Sequence, residues 1–327
     1  MSPRPACVLI VFVDGVGLGE SDASINPLAA GELPVLEGLL EGRRPVAAAA
    51  PFHGERASLI GIDATLGAPG TPQSGTGQTA LLTGEDAVAL HGRHFGPWVP
   101  TRLRPLLRER NVLMRAKAAG RRVAFANAYP RELADIATWA AEHPAEGAAH
   151  IPSPVYRKLP LPLRAGPPIA ALGAGLMTRH VEALAAGEAV ASEIVNDGWR
   201  ERLGHTSLPV ITAAAAGANL ARIAAAHDLT LFAHYSTDFA GHRQSLDDGI
   251  AAIERVDAFL GGLVAAMPEH ALLLVVSDHG NLEDVRVGHT RNLAFCLAVG
   301  AGHEAAAELR RLTDVAAFVT GILGVAA

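Results

Sequence analysis

Strand-sized apolar runs alternate along this chain with Ala- and Leu-rich stretches, and few architectures can bury both. The first run is Cys7–Val13, stopped by Asp14-Gly-Val-Gly17; another, Ala271–Val276, ends at Ser277-Asp-His-Gly280. Further strand-like runs cover 122–127, 229–233 and 293–299, and helical stretches cover 103–119, 212–227, 250–266 and the C-terminus. Unbroken apolar runs mark strands buried on both faces, and alternation with helices marks a parallel sheet between helical layers. The expected fold is therefore α/β, with a mostly parallel central sheet flanked by helices. A Gly/Pro/Thr-rich loop over 67–72 leads into Ser74–Thr83, which can open a helix.

The pattern weakens between 129 and 204, where Pro152, Pro154, Pro160, Pro162, Pro167 and Pro168 interrupt it. The reading is a two-part core, 1–128 and 205–327, with 129–204 inserted as a small cap. With 327 residues the chain suits about two domains of ordinary size, or one large domain with an insertion. Half of it is hydrophobic and 18% charged, so it is not a disordered chain. A net charge of −6 argues against a nucleic-acid-binding surface spread over the chain, leaving room for a local basic pocket. Mean hydropathy is +0.24, yet no apolar run approaches the ~18 residues of a membrane span. The N-terminal apolar stretch ends at Asp14 without a leader-type cleavage site. Cys7 and Cys296, both in apolar runs, read as buried free thiols, and the expected setting is cytoplasmic. The sequence carries no reading of oligomeric state.

Ligands of such sheets bind beyond the carboxyl ends of the strands, and chemistry-bearing side chains stand there. Asp14 follows the first run, and Asp278-His279 follow Ala271–Val276. Asp238 and His242 lie just past the 229–233 strand, four apart and on one face if helical; His289 precedes the last strand. Each alone serves as well as a turn former, a cap or a hydrogen-bonded surface group. Together they offer the N/O donors that Zn²⁺ or Mn²⁺ accepts. Two glycine-rich segments imitate nucleotide loops. Gly15-Val-Gly17-Leu-Gly19 has the spacing GxGxG in place of GxGxxG, and Gly70-Thr-Pro-Gln-Ser-Gly75-Thr-Gly-Gln has Thr76 where a phosphate loop needs Lys. The second still places the Ser74 hydroxyl at a helix start, where an anion is favoured, and a metal ion could activate it.

These residues together resemble the alkaline phosphatase superfamily of metalloenzymes, and within it the cofactor-independent phosphoglycerate mutase and phosphopentomutase branch. The points of contact are Val13-Asp-Gly-Val-Gly17, Ser74-Gly-Thr-Gly-Gln-Thr-Ala-Leu-Leu-Thr-Gly84, Asp238-Phe-Ala-Gly-His242, Asp278-His-Gly-Asn281 and His289-Thr-Arg-Asn292, in the family's order. The middle of the chain carries no matching motif. The resemblance implies an alkaline-phosphatase-like core and two divalent cations, one held by Asp14, Ser74, Asp278 and His279. The other would use Asp238, His242 and His289, with Asp14 near both. It also implies Ser74 as the transiently phosphorylated nucleophile, ahead of Thr76 and Thr79, and tips the metal toward Mn²⁺ over Zn²⁺. Sulfatases share the fold but follow their nucleophile with x-Pro-x-Arg, which Ser74-Gly-Thr-Gly-Gln78 lacks. The implied activity is phosphoryl transfer on a small phosphomonoester, as a phosphatase (a hydrolase) or a phosphomutase (an isomerase). A metal-binding, non-catalytic module on the same scaffold is the alternative. Mutases of this group carry a larger insertion and several Arg over the substrate; Arg93, Arg131, Arg157, Arg164 and Arg179 are the candidates here.

Overall fold

The computed structural model describes residues 5–142 and 161–325. Pro152, Pro154, Pro160 and Arg157 lie outside the described residues. Seven strands form one sheet: β1 (Cys7–Val13), β2 (Phe52–His53), β3 (Ala57–Ile62), β4 (Val123–Phe125), β5 (Leu229–His234), β6 (Ala271–Val276) and β7 (Ala294–Gly300), in the order β2-β3-β7-β6-β1-β5-β4. β6, β1, β5 and β4 pair in parallel; β7 runs against both β6 and β3, and β2 against β3. Five strands therefore share one direction, with β2 and β7 reversed.

β1 lies inside the sheet between β6 and β5, and every one of its residues is buried. Its alternate side chains feed two cores, as a pleated strand requires. Val8, Ile10 and Phe12 face helices α1 (Ser74–Thr83), α2 (Val112–Ala118), α3 (Gly166–Gly173) and α7 (Leu312–Leu323). Leu9, Val11 and Val13 face α4 (Ala213–Ala225) and α6 (Leu246–Ala266). The result is a three-layer sandwich. Each fully buried Val, Leu, Ile or Phe contributes roughly 1.5–3 kcal/mol, so the strand that carries Asp14 at its end is held firmly. Side-chain caps set two helix starts: Thr212 accepts from Ala215 N–H at 3.1 Å, and Ser245 from Asp248 N–H at 3.2 Å.

The stretch 103–119, expected as one helix, is two, Arg104–Glu109 and α2. Asn111 makes the break. Its buried Oδ1 accepts from Leu113 and Met114 N–H, capping α2, while Nδ2 donates to Leu107 O, closing the helix before it. The described residues of 129–204 pack against both faces. Leu163, Ile169 and Ala170 join the first core, Val190 and Ile194 the second, and Leu184, Ala189, Ala191 and Trp199 form a small cluster with the flanking Ala128 and Leu208. Among the described residues no helix is long and apolar enough to cross a membrane.

His234 closes β5 almost fully buried. Its Nδ1 donates to Ser192 O at 2.8 Å, and its Nε2 has no partner among the described residues. Burial pushes its pKa down from 6.5 to about 4. The unfolded chain thus binds the extra proton first, so stability is complete above the unfolded value and is lost as pH falls toward the folded one. The expected loss between those values is about 3 kcal/mol. His234→Asn, which keeps a donor for Ser192 O, flattens that slope in urea titrations across this pH window; an unchanged slope contradicts the assignment.

Candidate metal centre

The exits of β1, β5 and β6 converge at one end of the sheet with the start of α1. Asp14 follows β1 and Asp278-His279 follow β6. Asp238 and His242 stand on α5 (Ser236–Arg243), the helix after β5. His289 comes from the loop before β7. Ligand atoms of Asp14, Asp278 and His279 lie within 4.8 Å of one another, and so do those of Asp238, His279 and His289. His279 is common to both groups, and Asp14, expected near both, lies close enough to Asp238 to feel its charge. His242 joins at the rim, its Nε2 3.4 Å from Asp238 Oδ2 and 3.1 Å from His289 Nε2. The ring planes of His279 and His289 stack at 4.0 Å.

Ser74 opens α1, nearly inaccessible, with Oγ 2.9 Å from His279 Nε2. His279 Nδ1 contacts Gly280 O at 3.3 Å, and a carbonyl only accepts, so the ring proton sits on Nδ1 and Nε2 accepts from the serine hydroxyl. His289 Nδ1 likewise donates to Pro72 O at 2.9 Å, which fixes the ring with Nε2 turned inward, 3.5 Å from Asp238 Oδ1. The rival hydroxyls are engaged elsewhere. Thr79 Oγ1 donates to Gly75 O at 2.7 Å, and Thr76 Oγ1 donates to Gln73 O at 3.2 Å and accepts from Phe95 N–H at 3.2 Å. The Gly75 of this buried helix start has a packing reason: a Cβ there would come within 2.0 Å of Trp98 O.

Charge is crowded here. Burial, then the neighbouring Asp278 and Asp238, raise Asp14 well above the ordinary carboxyl range; burial also raises Asp278. Burial opposes ionisation of Asp238 too, but hydrogen bonds from His242 and His289 outweigh it and hold that carboxyl far down. In return His289 is raised: burial works against its charge, and the hydrogen bond and charge of Asp238 prevail. Asp14 Oδ1 and Asp278 Oδ2 are buried without a hydrogen-bond partner among the described residues. Such oxygens, close to the inward-facing ring nitrogens of His279 and, in the neighbouring group, His289, fit divalent cations.

Several supporting residues were not anticipated individually. Gln78 Nε2 donates to Asp14 Oδ2 at 3.2 Å while its Oε1 accepts from Gly166 N–H at 2.7 Å, tying the centre to α3. Ser277 Oγ accepts from Val16 N–H at 2.9 Å, and Thr237 Oγ1 donates to Asp14 O at 2.6 Å. Asn281 Nδ2 donates to Asp238 Oδ1 at 2.7 Å. Gln78, Ser277, Thr237 and Asn281 sit within or beside the motifs, which was the only local signal. Of the candidate arginines, Arg131 pairs with Glu182 at 3.5 Å, and Arg179 donates to Glu188 O and Phe125 O at 2.9 and 3.2 Å. Arg131 thus pairs two described parts of 129–204, and Arg179 also ties its part to β4.

The profile of the metalloenzyme superfamily matches residues 6–327, and the chain belongs to that superfamily. Two similar curated proteins are 2,3-bisphosphoglycerate-independent phosphoglycerate mutases. The one from Thiobacillus denitrificans is 35% identical over 107 residues, 30% of this chain and 21% of the relative. The one from Moorella thermoacetica is 37% identical over 107 residues, with the same shares. The chain thus spans about a fifth of the length of these relatives. Among solved structures, the alkaline phosphatase of the Antarctic bacterium TAB5 superposes over 100% of both chains with a TM-score of 0.53 at 12% identity. The PH0037 protein of Pyrococcus horikoshii does so over 98% of both, with a TM-score of 0.51 at 14% identity. These likenesses establish an alkaline-phosphatase-like α/β fold.

Proposed function

We propose that this protein is a two-metal phosphoryl-transfer enzyme that acts on a small phosphomonoester through a phosphoserine at Ser74. The observation that carries the reading is the buried Ser74 Oγ, 2.9 Å from His279 Nε2, beside two groups of ligand atoms, one of which holds the unpartnered oxygens of Asp14 and Asp278. Asp14, Ser74, Asp278 and His279 would hold one ion; Asp238, His242 and His289 would hold the other. The names of the curated relatives support the reaction class. Bound divalent cations would lower the energy of the serine alkoxide and neutralise charge on the phosphoryl oxygens.

The chain's own residues do the rest. His279 orients the Ser74 hydroxyl, and the start of α1 presents the positive end of its dipole to an anion. Ser74 Oγ bonds to phosphorus as the ester P–O bond breaks; the serine hydroxyl proton is released, through His279 Nε2 or to water, and the departing oxygen takes up one proton from water, so the step is proton-neutral. The acceptor of the phosphoryl group, water or the retained organic fragment, then separates hydrolase from mutase. Arg131 is paired with Glu182 and Arg179 with the carbonyls of Glu188 and Phe125, which supports water as the acceptor over a fragment held by these arginines. The contact of Gln78 with both Asp14 and Gly166 supports a role for 129–204 as a cover inserted between the two core parts. Mn²⁺ suits the mixed Asp/His set and is the proposed metal, with Zn²⁺ the competitor. The buried thiols Cys7 and Cys296 fit a cytoplasmic setting.

The test is a phosphomonoester panel assayed after loading with Mn²⁺ or Zn²⁺, following both free phosphate and isomerised product. Phosphate release is the expected result. Isomer without free phosphate would establish the mutase instead. Bound metal with neither product over the panel would leave a non-catalytic module and overturn the proposal.

A further inference from the structure

Glu283 lies two residues beyond Asn281, the end of the Asp278-His-Gly-Asn281 motif, and is 1% exposed. Its carboxylate accepts four hydrogen bonds. Oε2 takes Gly17 N–H at 2.9 Å and Asn281 N–H at 2.8 Å. Oε1 takes the Thr290 hydroxyl and, at 3.0 Å, Asn292 Nδ2. Among the described residues no Lys, Arg or His stands within ion-pair distance of it. Its four donors belong to two segments: the loop leaving β1 with Asp14, and the β6–β7 connection, which carries Asp278 and His279 at its start and His289 near its end. Asn281 extends the link to a third element through its amide on Asp238.

The glycines around it are shaped for this carboxylate. A Cβ on Gly17 would stand 2.4 Å from Glu283 Oε1, and one on Gly280 would stand 2.2 Å from the same atom. The glycine-rich turn after β1, which superficially resembles a dinucleotide loop, thus admits a buried side chain from 266 residues further on. A buried anion satisfied only by neutral donors is held by geometry, and each of its bonds to a loop fixes that loop against the others.

We propose that Glu283 is a positioning residue that sets the separation of the two ligand groups and so governs their affinity for divalent cations. It rests on the reading of those groups as a metal pair. Glu283→Gln conserves volume but replaces one acceptor oxygen by an amide that faces donors, breaking the bonds on one side. The expected result is a 10- to 100-fold weaker apparent Mn²⁺ affinity, of the order seen when residues that orient metal ligands are replaced. The measurement is Mn²⁺ titration by electron paramagnetic resonance, well below the unfolding temperature. Any turnover should recover toward the wild-type kcat at saturating Mn²⁺. In chelated protein, the Gly17 and Asn281 amides should exchange faster while strand amides do not.

A purely structural role would lower Tm and leave Mn²⁺ affinity unchanged, and that outcome overturns the proposal. If Glu283→Gln proves unstable, Glu283→Asp, which keeps the charge but falls short of the donors, should show the same weakening; wild-type affinity there also overturns it. Weaker Mn²⁺ binding with no product from either protein would leave this inference standing and remove the phosphoryl-transfer reading. Product formation with unaltered Mn²⁺ affinity would do the reverse.

Discussion

Ser74→Ala is expected to lower phosphoryl transfer by at least about a thousandfold, as removal of a covalent nucleophile does, while bound metal stays close to two equivalents. The fold should tolerate the change. The side chain is small, and its recorded partner is His279 Nε2, so the lost hydrogen bond costs about 1 kcal/mol. Asp14, Asp278 and His279 remain to hold the ion that Ser74 would share, and Asp238, His242 and His289 are untouched. Three measurements separate the possibilities: steady-state rate, metal content by mass spectrometry, and phosphoprotein trapped by acid quench. Thr76 and Thr79 cannot substitute, since backbone carbonyls occupy their hydroxyls. Phosphoprotein retained in Ser74→Ala, or full activity, would falsify the assignment of the nucleophile.

The strands were legible where burial on both faces writes a continuous apolar run, as in Cys7–Val13 and Ala271–Val276, both found with those bounds. Helix α1 was legible from its hydroxyl- and glycine-rich start, and α4, α6 and β7 differ by only a few residues from the expected spans. β3 was not anticipated: Ser58 and Gly61 interrupt its run, and it pairs antiparallel with β7 across more than two hundred residues. The reversal of β7 has no local signature, because strand direction depends on where the chain returns to the sheet. The supporting shell of the centre was hidden for the same reason. Gln78 meets Asp14 across 64 positions, and Ser277 meets Val16 across 261. Asp and His announce themselves by type at strand ends; the amides, hydroxyls and single glutamate that orient them do not.

Asp14→Asn is expected to change the sign of its effect on stability with the cation. In chelator at about pH 8 the wild-type centre confines Asp14, Asp278 and Asp238 together, their ion-pair partners among the described residues being imidazoles alone, and burial and those two neighbours hold Asp14 well above the ordinary carboxyl range. Neutral Asn relieves that crowding and can still accept from Gln78 Nε2. The metal-free variant should therefore be more stable than metal-free wild type by about 1–3 kcal/mol. A raised folded-state value means that the wild-type penalty is absent below the unfolded carboxyl value and grows as pH rises through the folded one. The advantage of the variant should accordingly shrink toward about pH 4. Saturating Mn²⁺ reverses the order, because a ligand present at a thousand times its Kd stabilises the wild type by about 4 kcal/mol per ion, and the variant loses that contribution at the ion Asp14 holds. Urea unfolding of both proteins, with chelator and with Mn²⁺, at the two pH values reads all four terms. A metal-free variant less stable than metal-free wild type at the higher pH would mean that these carboxylates are not crowded by charge, and that the site is not arranged around a cation.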